Sequence, residues 1–173
     1  MTGGGHRGIF MKNVKRSRPH LPEGYIQDPG ELLSWDFVED KLTEAVHYWL
    51  CTVYPDGRPH VVPKWAVMVE GKIYFDGSPE TRHAKNIAVN PSVAIHLESG
   101  ADAVIGEGKA SEINNPPKNL REKVAKAYTQ KYAGLGYSPT PEMWENGVLY
   151  EIRLTKALAW TAFMKDTTKF EFD

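Results

Sequence analysis

One cysteine in 173 residues leaves this chain without an internal disulfide, and no cysteine cluster offers the ligands of a structural zinc site. Cys51 lies in an apolar run, where a small buried side chain is expected rather than a nucleophile. No apolar stretch approaches the roughly 20 residues that span a bilayer. The first 22 residues carry cations but lack the apolar segment of a secretory leader, so a cytoplasmic setting is the expectation. Among the six histidines there is no HExxH pair; His47, His60, His83 and His96 fall singly on separate segments, and no metal site is expected. P-loop, nucleophile-elbow and paired-carboxylate signatures are lacking as well. The GGGHRG run near the start follows no strand and opens no helix. An excess of either charge is also missing: a net charge of −1 gives no overall pull towards nucleic acid or membrane.

What remains is an ordinary soluble composition, 41% hydrophobic and 25% charged, at a length suited to one domain. A chain of this size buries roughly 70% of the surface its unfolded form exposes, so it can build its own core. The near-neutral total hides an asymmetry. Arg7, Lys12, Lys15, Arg16 and Arg18 stand in the first 20 residues with no acidic partner, leaving the remainder near −6. Residues 1–22 combine Gly, Pro and these cations without periodicity and are expected to form a disordered basic arm. Residues 23–173 are expected to form the folded domain, with no internal repeat. Nucleic-acid binding by the arm is not expected, because a solvated tail is the better explanation of its charge.

Along the domain, residues 36–45 read as a helix, with Asp36 and Glu39 at capping-box spacing. Residues 48–54 and 58–69 read as strands either side of Pro55-Asp56-Gly57, with Pro63 marking an edge or a bulge. Residues 72–76 form a short strand, 80–89 a helix stopped by Asn90-Pro91, and 92–98 an alternating strand. A further strand over 101–113 carries Gly106 and Gly108, which suggest a bend. An amphipathic helix over 118–132 precedes two last strands, 148–154 and 157–163. Six or seven short strands joined mostly by turns imply a mainly β protein, an antiparallel barrel with a few peripheral helices.

The chemistry concentrates in the segment 77–86, Gly-Ser-Pro-Glu-Thr-Arg-His-Ala-Lys-Asn, which follows a strand and opens a helix. Unsatisfied N–H groups and the helix dipole favour an anion there. Ser78 and Thr81 add hydroxyls, Arg82 adds a planar fork for two phosphate oxygens, and Lys85 stands one helical turn further on.

With the runs 54–65, 73–78, 81–87 and 90–93, these residues resemble the pyridoxamine 5′-phosphate oxidase-like family and, more broadly, the flavin/deazaflavin oxidoreductases. The resemblance spans residues 47–113 and continues more weakly through 150–156 to Trp160. It implies a Greek-key, FMN-binding split β-barrel acting as a homodimer, with the cofactor at the subunit interface. It also implies an oxidoreductase that moves a hydride to or from a small-molecule substrate, with FMN as cofactor and coenzyme F420 as the alternative. A non-catalytic flavin- or haem-binding module is the rival reading. By the same resemblance His60, Val61, Val62, Pro63, Lys64 and Trp65 run beside the isoalloxazine ring. Ser78, Thr81, Arg82, His83, Lys85 and Asn86 then hold the phosphate end, with Arg82 at the position of the family's phosphate-binding arginine. His83 stands where a lysine is frequent. Trp160 and Trp144 are candidates for contacts from the partner subunit. The tail Lys-Asp-Thr-Thr-Lys-Phe-Glu-Phe-Asp over 165–173 lacks the family's arginine- and tryptophan-rich substrate motif, so vitamin B6 oxidation is not implied.

Overall fold

The computed structural model describes residues 14–26 and 28–173. Its strands in chain order are β1 (Val14–Ser17), β2 (Tyr48–Val53), β3 (Pro59–Lys64), β4 (Val67–Val69), β5 (Lys72–Asp76), β6 (Ser92–His96), β7 (Ala103–Asn114), β8 (Val148–Trp160) and β9 (Thr168–Phe172). Four helices accompany them: α1 (Trp35–Glu44), α2 (Arg82–Val89), α3 (Lys118–Tyr132) and α4 (Phe163–Asp166). All pairings are antiparallel, in the order β1-β9-β8-β7-β6-β2-β3, with β4 paired to β5 and β5 paired to β8.

The long strand β8 organises this split barrel. One of its edges pairs with β7 along its whole length. Its other edge is shared: Leu149 to Ile152 take β5, and Lys156 to Ala159 take β9. A register shift at Glu107/Gly108 of β7 lets the two strands coil past each other. Only glycine fits at 108, because a Cβ there would lie 2.2 Å from the Arg153 carbonyl oxygen. The expected pair of last strands, 148–154 and 157–163, is therefore one strand, Val148–Trp160, and the chain turns into α4 where the second was expected to end.

Two further expectations need correction. Val14–Ser17 lies within the stretch 1–22 expected to be a disordered arm, yet it forms a ladder with β9 from Val14↔Phe172 to Ser17↔Lys169. Arg18 donates to the Lys165 carbonyl at 2.8 Å, which ties the next residue to the same edge. The remainder of the expected arm, residues 1–13, lies outside the described residues. The cap of α1 is Ser34 rather than Asp36: its Oγ accepts from the Phe37 N–H at 3.3 Å, and the helix begins one residue earlier than expected.

Burial follows the alternation. Tyr48, Leu50 and Thr52 of β2 face inward and are all but inaccessible. Val38 and Leu42 of α1, spaced i and i+4, close one side of this core with Phe75, Ile95, Tyr150 and Ile152. Each such side chain stabilises the fold by roughly 1.5–3 kcal/mol through removal from water. A second cluster lies under α3, where Val124, Tyr128 and Tyr132 pack on Val67, Tyr74, Leu149 and Trp144. The Tyr132 hydroxyl accepts from the Ala66 N–H at 3.0 Å and donates to the Val46 carbonyl at 2.8 Å. Between the two cores, the Lys131 amine donates to the Ala66 carbonyl at 3.0 Å and rests over the rings of Tyr48 and Tyr132. Among the described residues, no helix is long and apolar enough to cross a membrane.

Candidate functional site

The free edge of β3 and the start of α2 meet beside the end of β5. Strand β3 pairs only with β2 among the described strands, so its other edge is open. Proline carries no N–H, so Pro59 and Pro63 belong at positions that face away from the ladder. Val61 shares their parity and presents the one amide donor among these three, beside the carbonyls of 59, 61 and 63. His60, Val62 and Lys64 lie across from Thr52, Leu50 and Tyr48, so their side chains turn towards the barrel.

Around this edge Lys64 and Arg82 form no ion pair among the described residues. The Lys64 amine donates to the Asp76 carbonyl at 2.9 Å and lies 5.3 Å above the Phe75 ring. Burial depresses its pKa, and the Asp76 charge opposes this only partly. The Asp76 carboxylate itself accepts the Tyr137 hydroxyl. The Arg82 guanidinium lies 5.2 Å over the Tyr54 ring, which meets His60 edge-on at 5.5 Å. Neither Lys64 nor Arg82 has a carboxylate within ion-pair distance among the described residues.

His83 is buried behind them, and a Cβ placed on Gly77 would stand 3.4 Å from the Lys64 amine and 3.8 Å from His83 Nε2. Burial first, then the positive potentials of Lys64 and His60, pull His83 down to about 4. The Thr81 hydroxyl donates to the Ser78 carbonyl at 2.8 Å, leaving its oxygen to accept from His83 Nε2 at 3.2 Å. Thr81 is thus spent on shaping the turn, whereas the Ser78 oxygen accepts from the Glu80 N–H at 3.1 Å and keeps its proton for another partner.

The expected residues divide accordingly. His60, Lys64, Ser78, Thr81, Arg82 and His83 come together, with Val61 contributing backbone. Val62 packs into the main core, and Pro63 lies exposed on the outer face of the sheet. Lys85 points away and pairs with Glu80 at 2.8 Å. Asn86 is fully buried beneath α2, where its amide donates to Thr52 Oγ1 at 3.0 Å. Trp65 turns to the other side, stacked on Tyr132 at 4.8 Å. Trp144 is a core side chain against Tyr128, which removes it as a contact for a partner. Trp160 donates to the Gly100 carbonyl at 3.1 Å. It stands ten positions along β8 from Tyr150, the residue paired with Phe75, or roughly 30 Å at about 3.3 Å per residue. Within one chain it is not part of the cluster.

Thr52 and Tyr54 escaped the sequence reading. Thr52 carried a signal, as the one aliphatic hydroxyl at an inward position of β2; Tyr54 became visible only when the fold brought Arg58 and Arg82 onto its ring. No group of three or more metal-ligating side chains occurs among the described residues. Two surface hollows, one around Arg18–Pro29 and one beside Lys131, contain no residue of this cluster.

Comparison with known proteins agrees with the fold. Solved structures similar to this chain include a conserved hypothetical protein from Mycobacterium tuberculosis, at 22% identity over 78% of this chain and 89% of that one, with a TM-score of 0.64. An F420 reductase matches at 22% identity over 79% and 98% of the two chains, TM-score 0.53. The haem storage protein of Vibrio cholerae matches at 19% identity over 69% and 88%, TM-score 0.53. At these identities the likeness shows a shared fold. No protein of curated function matches the chain. The family model for pyridoxamine 5′-phosphate oxidase matches residues 35–161, from the first residue of α1 to just past the end of β8. With that span covering well over half of the sequence, the chain belongs to the pyridoxamine 5′-phosphate oxidase family.

Proposed function

We propose that this protein is an oxidoreductase that holds FMN, or alternatively coenzyme F420, along the open edge of β3 and acts on a small-molecule substrate. The observation that carries the reading is a pair of cations without ion-pair partners: among the described residues, Lys64 and Arg82 have no carboxylate within ion-pair distance, beside a buried, neutral His83. The donor set fits a phosphate. Arg82 offers a fork, Lys64 a point charge, and Ser78 a free hydroxyl proton. The β3 edge offers one amide and three carbonyls, a pattern suited to a heterocycle that both donates and accepts. When bound, the flavin or deazaflavin supplies the hydride chemistry. The chain's own residues bind and orient it, and none of them is assigned as an acid or base.

The open shape of the site suits completion by a second subunit. The outer face of the sheet carries a cross-strand row, Pro63–Trp49–His96–Ile105–Leu158, in which the four residues after Pro63 are half-buried within the single chain. Trp49 and His96 stack at 6.1 Å with planes 8° apart. An apolar row of this extent, next to the proposed cofactor edge, fits a homodimer interface that covers it. In such a dimer the remote Trp160 serves the partner's site. This reading goes with a cytoplasmic setting. The tail folds into β9 and contributes no arginine or tryptophan, so a substrate other than pyridoxamine phosphate is proposed.

A non-catalytic binding module remains the second reading, favoured by the fold shared with a haem storage protein and by the lack of a paired acid and base in the cluster. Titration of the purified protein with FMN and with F420, followed by absorption, tests the first step. Flavin bands near ~375 and ~450 nm that shift on mixing show binding. Steady consumption of reduced nicotinamide or reduced deazaflavin then separates the enzyme from the module, and no spectral change with either cofactor contradicts both flavin readings.

A further inference from the structure

A buried polar chain runs from α2 through β2 to the β3 edge. Asn86 Nδ2 donates to Thr52 Oγ1 at 3.0 Å, and Thr52 Oγ1 lies 3.2 Å from His60 Nδ1. Asn86 is fully buried and Thr52 is 2% exposed, so neither can turn to water for a partner. The direction of each bond follows from the inventory of protons. The amide nitrogen of Asn86 only donates, so the Thr52 oxygen accepts from it. The threonine hydroxyl has one proton of its own, and His60 Nδ1 is the acceptor within reach. In this orientation of the amide, Oδ1 is the atom of Asn86 left without a partner.

We propose that Asn86 and Thr52 are positioning residues that fix the His60 tautomer: Nδ1 accepts from threonine, and the ring presents Nε2–H at the open edge of β3. No other group among the described residues takes that N–H. A threonine hydroxyl inside an apolar strand and an asparagine inside a helix interior both cost stability unless they act together, and their one joint product is the orientation of this imidazole. On the flavin reading above, the Nε2–H would be a donor towards the bound ring. A donor there favours the electron-richer reduced cofactor over the oxidised one. The relay would then set how strongly the site prefers reduced cofactor, and Thr52 and Asn86 would do so without touching it.

Two measurements separate this inference from the reading it rests on. In cofactor-free protein, 15N NMR of the histidine rings is expected to show His60 with a protonated Nε2 and an unprotonated Nδ1; a protonated Nδ1 overturns the relay, whatever the protein binds. Thr52→Val is expected to release the tautomer and Thr52→Ser to retain it; an unchanged spectrum in Thr52→Val also overturns it. For the coupling, the dissociation constants of oxidised and dithionite-reduced FMN are compared. Loss of one hydrogen bond in Thr52→Val should cut the preference for the reduced form about 2- to 13-fold, with restoration in Thr52→Ser. An unchanged ratio overturns the coupling. Should Thr52→Val fail to fold, the wild-type spectrum decides the relay and His60→Phe decides the coupling. No FMN binding by the wild-type protein ends the coupling together with the flavin reading, and leaves the relay to be judged by the NMR result.

Discussion

His83 makes the acid stability of this protein a direct report on the cationic cluster. Its ring is buried against Phe75, with Nε2 held by Thr81, and burial together with Lys64 and His60 lowers its pKa from 6.5 to about 4. For a base whose folded pKa is depressed, the sign is fixed. Its contribution to stability is full above pH 6.5, and it is lost as pH falls from 6.5 towards 4, because the unfolded chain takes up the proton first. At pH 4.5 the loss amounts to about 2.5 kcal/mol, while at pH 7.5 it is close to zero. His83→Gln keeps a polar side chain but removes the titration. Urea unfolding of both proteins at pH 7.5 and pH 4.5 isolates the effect, since the carboxylates titrate alike in each. The wild type should lose about 2.5 kcal/mol more than His83→Gln between the two conditions. Equal losses would mean that His83 is not held neutral in this cluster, and the charge balance derived for the site would be wrong.

Three other perturbations test the scaffold and the assembly. Gly108→Ala places a Cβ against the Arg153 carbonyl and should destabilise by about 3 kcal/mol in urea unfolding. Gly106→Ala, whose nearest contact is the flexible Leu154 side chain, should cost clearly less. Ser34→Ala removes the cap of α1 and should lower stability by about 1 kcal/mol, read as a shift of the urea midpoint. Leu158→Glu puts a charge into the outer apolar row and should yield a folded monomer in light scattering, against the dimer proposed for the wild type; a variant that stays dimeric places the interface elsewhere.

Much of this molecule is legible in its sequence where local signals and tertiary packing agree. The stripe of Val124, Tyr128 and Tyr132 gives α3 its observed bounds, and Lys72–Asp76 is the strand its residues suggest. The turn chemistry is equally plain: Glu70 and Gly71 both take positive φ in the tight β4–β5 connection. The chain's ends are less legible, because their strands exist only through long-range pairing. Thr168, Phe170 and Phe172 alternate with Lys169 and Glu171, but so short a charged segment becomes a strand by lying between β8 and β1. Strand β8 reads as two because Thr155 and Lys156 interrupt its apolar pattern. In the structure Thr155 is the extra residue at the register shift, and Lys156 pairs with Glu107 at 2.8 Å.

At the site, the cations and hydroxyls of 77–86 stand out by type, but sequence does not reveal which are already engaged. Lys85 and Arg82 look equivalent one turn apart, yet Glu80 takes Lys85 and leaves Arg82 without an ion pair among the described residues. Asn86 reads as a ligand and lies instead under the helix, as a support for Thr52.

That contrast between neighbouring cations offers the most direct test of the central claim, measured as FMN affinity by absorption or fluorescence titration. Arg82→Ala should weaken binding about 10- to 150-fold through loss of a charge-assisted hydrogen bond. Lys85→Ala, whose amine is already paired at the surface, should change it by less than about fivefold. Equal affinity in wild type and Arg82→Ala would contradict the assignment of the cofactor's phosphate to this corner of the fold.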